Sequence, residues 1–85
     1  MIAARKQPLP VMPLTNAVVG QELVFVAVEG GGGLTHRLAE LGLTPGMRLE
    51  VINRGGGPFI VSARGSKLIL GKGMAGRVMV RPVIR

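Results

Sequence analysis

Leu38-Ala39-Glu40-Leu41-Gly42-Leu43-Thr44-Pro45-Gly46-Met47 reads as the end of a helix, a tight turn and the start of a strand. Leu34, Leu38 and Leu41 stand at i, i+4 and i+7 and so share one helical face. Gly42 falls where a helix C-terminus takes a residue in the left-handed region, which glycine adopts at low steric cost. Leu43 then occupies the position that folds back onto Leu38, an apolar contact that accompanies such a cap. Thr44-Pro45-Gly46-Met47 fits a type II turn, with Pro45 presetting φ at the second position and Gly46 supplying positive φ at the third. Arg48 to Val51 alternates polar and apolar residues, so a strand leaves the turn. Gly42, Pro45 and Gly46 are therefore structural turn residues, and independent local rules agree on the same boundary.

Outward from this stretch the chain reads as strands. Met47, Leu49 and Val51 are expected to face one way, and Arg48, Glu50 and Ile52 the other. Gly55-Gly56-Gly57-Pro58 makes a turn, after which Phe59, Val61 and Ala63 alternate with Ile60, Ser62 and Arg64. Gly65-Ser66 is read as a hairpin loop with glycine first, and Lys67 to Leu70 as the partner strand. Gly71 to Gly76 is a short connection with a 3₁₀ turn around Met74 and Ala75. In the last strand Val78 and Val80 face inward, Arg77, Met79 and Arg81 face out, and Pro82 ends it.

Toward the N-terminus, Glu22 to Glu29 holds a continuous apolar run rich in β-branched residues and is the first strand. Both its faces are expected to be covered by the core, or one by a partner. Leu14 to Val19 forms a short turn or helical turn closed by Gly20. Residues 1–11, with Arg5, Lys6, Pro8 and Pro10, are expected to be an extended, mobile basic tail, leaving 12–85 as the domain. Gly30 to Gly33 is read as a flexible linker. A phosphate-binding loop needs Lys and Ser/Thr directly after its glycines, and Leu34-Thr35-His36 follows instead.

The expected fold is mainly β: five strands and one short helix, in a bent sheet that closes to protect its edges. Eighty-five residues allow one domain, and 47% hydrophobic content is ample for its core. Cysteine is absent, so disulfides and thiolate metal sites are excluded. No apolar run reaches the length of a membrane span and no secretory h-region opens the chain, so a cytoplasmic protein is expected.

The net charge of +7 fits a nucleic-acid partner, an anionic membrane surface or an acidic protein surface. The bases are scattered with no block of like charge, which also fits a solvated strand face. The acids are Glu22, Glu29, Glu40 and Glu50; none forms a spaced pair suited to acid–base work, and Asp is absent. His36 is the sole histidine and cannot build a metal site with these acids unless another chain contributes. No catalytic residue, resident metal, cofactor or small-molecule substrate is therefore expected. Arg37 and Glu40 are spaced for an i,i+3 ion pair. Met74 and Met79 read as core filling, with an outward Met79 beside Leu34 or Phe25 as the alternative of a sticky patch.

His36-Arg37-Leu38-Ala39-Glu40-Leu41-Gly42-Leu43-Thr44-Pro45-Gly46 resembles the RLxELGLxPG signature of the FeoA family, ferrous iron transport protein A. Met12-Pro13-Leu14 with Val19-Gly20-Gln21 is similar to the family's opening. Gly57-Pro58-Phe59-Ile60-Val61, Lys67-Leu68-Ile69-Leu70-Gly71 and Arg77-Val78-Met79-Val80 are similar to its later segments. The likeness runs from residue 12 to residue 82, with a looser glycine loop and a looser Lys72-Gly73 connection than the family pattern. It implies a small five-stranded SH3-like barrel with one short helix inserted after the first strand. It further implies a non-enzymatic cytosolic accessory protein of ferrous iron uptake. Such a protein would dock to a FeoB-type membrane transporter, which carries a cytosolic G-protein domain. The helix and turn would then present His36, Arg37, Glu40, Leu43, Pro45 and Met47 to that partner. Two other classes stay open. One is a nucleic-acid-binding barrel, favoured by charge and opposed by the scarcity of aromatic residues for base stacking. The other is a self-associating module that buries an edge strand in a homo-oligomer.

Overall fold

In a computed structural model, residues 10–30, 32–55 and 58–83 form six strands, two helices and one 3₁₀ turn. They run β1 (Met12–Pro13), the 3₁₀ turn (Leu14–Asn16), β2 (Glu22–Val28), α1 (Gly32–Glu40), β3 (Arg48–Asn53), β4 (Phe59–Ala63), β5 (Ser66–Leu70), α2 (Lys72–Ala75) and β6 (Val78–Pro82). The expected basic tail falls, up to Leu9, outside the described residues, as do Gly31 of the glycine run and Gly56-Gly57 of the next turn. One antiparallel sheet takes the order β1-β6-β2-β3-β4-β5. The five longer strands are those expected; β1 adds a short cross-pairing, Met12 with Val80 and Pro13 with Met79.

Period-two alternation decides which side chains enter the core. Leu23 and Phe25 from β2, Leu49 and Val51 from β3, Phe59, Val61 and Ala63 from β4, and Val78 and Val80 from β6 are all buried. Leu14, Leu38, Leu43, Leu70 and Ala75 fill the remaining space, and no polar or charged residue among those described is buried with them. A bulge between Phe25 and Ala27 bends β2 where it runs beside β6. Met74 packs against the core, while Met79 is half-buried opposite Pro13 and Ala27. Phe25, 1% exposed, has no part in a surface patch.

The helix stop is built as expected. The Leu43 N–H donates to the Leu38 carbonyl at 2.9 Å and the Gly42 N–H to the Ala39 carbonyl at 2.9 Å, with Gly42 at φ 95°. This is the paired bonding of a Schellman cap. Met47 N–H then donates to the Thr44 carbonyl at 3.1 Å across a turn with Gly46 at φ 93°. A Cβ at Gly42 would meet no atom within 4 Å, so only its backbone resists substitution. Gly42→Ala is expected to cost about 1–2 kcal/mol for that reason alone. Gly33→Ala, in open space within α1 and without a positive φ, is expected to gain about 0.5–1 kcal/mol. Parallel urea denaturation of the two variants reads the opposite signs.

Four details differ from expectation. Leu41 lies beyond the last residue of α1 and is 48% exposed, because the cap turns the chain before that side chain reaches the core. Gly32 and Gly33 belong to α1 rather than to a linker; the burial of Leu38 overrides glycine's poor helix propensity. The hairpin loop is Arg64-Gly65, one residue earlier than read, with φ of 53° and 80° and Ser66 paired to Ala63. Both angles are positive, as a type I′ turn requires. The other loop would set Arg64 directly against Lys67, whereas this register sets Ser62 against Lys67, Phe59 against Leu70 and Ile60 against Ile69. Finally, Lys72–Ala75 completes an α-helical turn, the Ala75 N–H donating to the Gly71 carbonyl at 2.9 Å.

Candidate functional site

Helix α1 is held by a single buried side chain, Leu38, with Leu34 half-buried one turn earlier. The rest of its surface is open: Thr35, His36, Arg37, Ala39 and Glu40 are all exposed. His36 Nε2 and Glu40 Oε2 lie 3.3 Å apart, one helical turn from each other. Glu40 therefore pairs with His36 and not with Arg37 as the i,i+3 spacing proposed. With both side chains mostly exposed, the pair contributes at most a few tenths of a kcal/mol to the fold.

The turn after α1 is fastened to β2. The Gly46 N–H donates to the Phe25 carbonyl at 2.8 Å, and the Phe25 N–H donates to the Met47 carbonyl at 2.9 Å. Pro45 is exposed at the apex, Met47 is half-buried against the core, and Leu43 is 1% exposed. Leu43 thus belongs to the interior, where it joins Leu38 in the core, and is not presented at the surface. The presented set is His36, Arg37, Glu40 and Pro45, on a backbone fixed by Leu38, Leu43 and the two bonds to Phe25.

Two shallow clefts lie elsewhere. One, of about 200 Å³, is lined by Glu22, Arg48, Leu49, Glu50, Ser62 and Arg64. Glu22 and Glu50 stand directly opposite in the β2–β3 pair, and Arg48 and Arg64 line the same cleft. The other, of about 230 Å³, is lined by Leu34, Gly73, Met74 and Arg77. Here Arg77 crosses Gly30, whose φ is 104° and whose absent Cβ would sit 3.0 Å from the guanidinium. No sequence spacing links Gly30 to Arg77; the signal that exists is one glycine hidden in a glycine run. Among the described residues no three His, Cys, Asp or Glu side chains converge to hold a metal ion.

Residues 12–82 match the family model described as the FeoA domain. The chain belongs to the FeoA family. It is 37% identical over 68 residues to the Fe(2+) transport protein A of Methanocaldococcus jannaschii, covering 80% of this chain and 83% of that one. A crystal structure of an iron uptake regulatory protein, FeoA, superposes with a TM-score of 0.78 at 40% identity, covering 88% of this chain and 100% of the other. A manganese-dependent transcriptional repressor bound to manganese superposes with a TM-score of 0.80 at 19% identity, over 91% of this chain and 39% of its own, and shares the fold alone. FeoA proteins serve ferrous iron transport and are transport accessories, not an enzyme family. Their SH3-like barrel is the architecture seen here, with the expected closure left open, since β1 and β5 do not pair with each other among the described residues. No helix of this FeoA chain among the described residues is long and apolar enough to cross a membrane.

Proposed function

We propose that this FeoA chain is a non-enzymatic accessory protein of ferrous iron uptake that works at the cytosolic face by docking to a FeoB-type transporter. The observation that carries it is the helix–turn unit. His36, Arg37, Glu40 and Pro45 are exposed on a backbone that the cap and the bonds to β2 hold rigid. A surface already ordered before binding loses little conformational entropy on contact. Arg37 supplies a cation not engaged by Glu40, suited to an acidic site on the transporter's G-protein domain. The kinship with an Fe(2+) transport protein A and with a FeoA crystal structure supports the pathway, and the exposed residues supply the contact.

Arg37→Glu tests the contact. Placing an acid near the helix C-terminus costs the fold about 0.3–1 kcal/mol, so the barrel persists. Binding to the purified G-protein domain, or recovery of the transporter from a membrane fraction, is expected to fall by about tenfold or more. Equal recovery by both proteins would remove the helix–turn as the docking surface.

A further inference from the structure

Strand β5 ends the sheet and pairs with β4 alone among the described strands. Its hairpin register decides what the free side offers. Ala63 and Ser66 close a two-residue loop, and pairing continues through Val61–Leu68 and Phe59–Leu70. Bonded and non-bonded pairs alternate in an antiparallel ladder, so the N–H and C=O groups of Lys67 and Ile69 point away from β4 toward the open edge. The stretch from Arg64 to Lys72 carries Arg64, Lys67 and Lys72, all exposed, and no acid.

Sheets often protect such an edge with a lysine. Ile69 does not fit protection. It is 68% exposed, above every other exposed large hydrophobic described, and it stands beside Lys67 on the outer face. Opposite it is half-buried Ile60, whose partner on β3 is Asn53 beside the bulge residue Ile52, so an apolar pair joins β4 to the edge strand.

We propose that the β5 edge accepts an extended acidic segment of a partner protein as an added strand. The partner's backbone bonds Lys67 and Ile69, its apolar residues cover Ile69, and its carboxylates face Arg64, Lys67 and Lys72. A second copy of this chain is a poor occupant, since antiparallel β5–β5 pairing brings two such cationic edges together in molecules of net charge +7. A nucleic acid lacks the peptide groups the edge would bond, and no aromatic residue lies between Arg64 and Lys72 to stack a base. In the ladder, β5 is three strands from β2, from which the α1 surface springs, so the two surfaces stand or fall separately.

The probe is a short peptide of the repeat Thr-Glu-Thr-Val, which sets glutamate and valine in turn on one strand face to meet Lys67 and Ile69, long enough to span β5 and added to the full chain labelled for amide hydrogen exchange. Exchange at the Lys67 and Ile69 amides is expected to slow by about tenfold or more at saturation. Ile69→Pro removes one outward donor, and proline is tolerated on an edge whose N–H faces solvent, so this variant folds and loses the protection. Lys67→Glu is expected to weaken binding by about tenfold. A peptide N-methylated at alternate residues checks the bonding without altering the protein, and is expected not to protect. The proposal is overturned if the two amides stay unprotected, or if the N-methylated peptide, or the same repeat with glutamine in place of glutamate, protects them equally. It is equally overturned if concentrated protein alone, or a single-stranded oligonucleotide, gives the same protection.

Discussion

Phe25→Ala is expected to destabilise the protein by about 3–5 kcal/mol, the usual range for truncating a buried phenylalanine. Phe25 is 1% exposed, is the largest fully buried side chain and lies in β2, which is flanked by β6 and β3. The other aromatic residue, Phe59, is already 3% exposed in the same core. The same residue's backbone fastens the turn after α1, and those bonds survive truncation, so the cost is the cavity and not the turn. At roughly 0.05–0.15 kcal/mol per residue, a domain of this size holds about 4–13 kcal/mol, so the loss takes roughly a quarter of it or more. The chain has no Trp or Tyr, so urea denaturation is best followed by far-UV circular dichroism. The midpoint should fall with an unchanged slope. A loss below about 1 kcal/mol would mean that Phe25 does not occupy the centre of the core.

Leu38→Ala is expected to cost about 2–5 kcal/mol, and Leu41→Ala less than about 0.5 kcal/mol. The two leucines are three positions apart and look equivalent on a helical wheel, but Leu38 is 0% exposed and Leu41 is 48% exposed. Leu38 is the one buried side chain of α1 and also lends its carbonyl to the cap. Its loss loosens the helix on the sheet, so the proposed docking to a transporter's G-protein domain should weaken along with stability. Leu41→Ala should leave both intact. Equal costs at the two positions would show that the helix runs past Gly42 and carries Leu41 into the interior.

The family, the helix stop and the strand faces were legible because each rests on neighbours in the chain. Gly42, Pro45 and Gly46 have backbone demands that only a few residue types meet, and Leu49, Val51, Val78 and Val80 announce their face by alternation. The candidate site was legible only in part. His36, Arg37, Glu40 and Pro45 are indeed exposed, but Leu43 looked equally presentable and is interior. Spacing alone does not name the partner of Glu40, because i,i+3 and i,i+4 neighbours compete for one carboxylate; in the fold it lies against His36.

By itself, then, the sequence determined a small β domain with one capped helix, a proline–glycine bend, no cysteine chemistry and a strong positive charge. The tertiary structure alone decided that Leu41 faces water, that Arg64-Gly65 forms the hairpin loop, that Arg77 crosses Gly30, and that β5 is left as an open edge. The division has one physical cause. Caps, turns and alternation are set by sterics within a few residues, whereas exposure, register and edge position depend on which distant strands share the core. Those choices minimise buried polar groups and opposed charges over the whole chain, and no local window contains them.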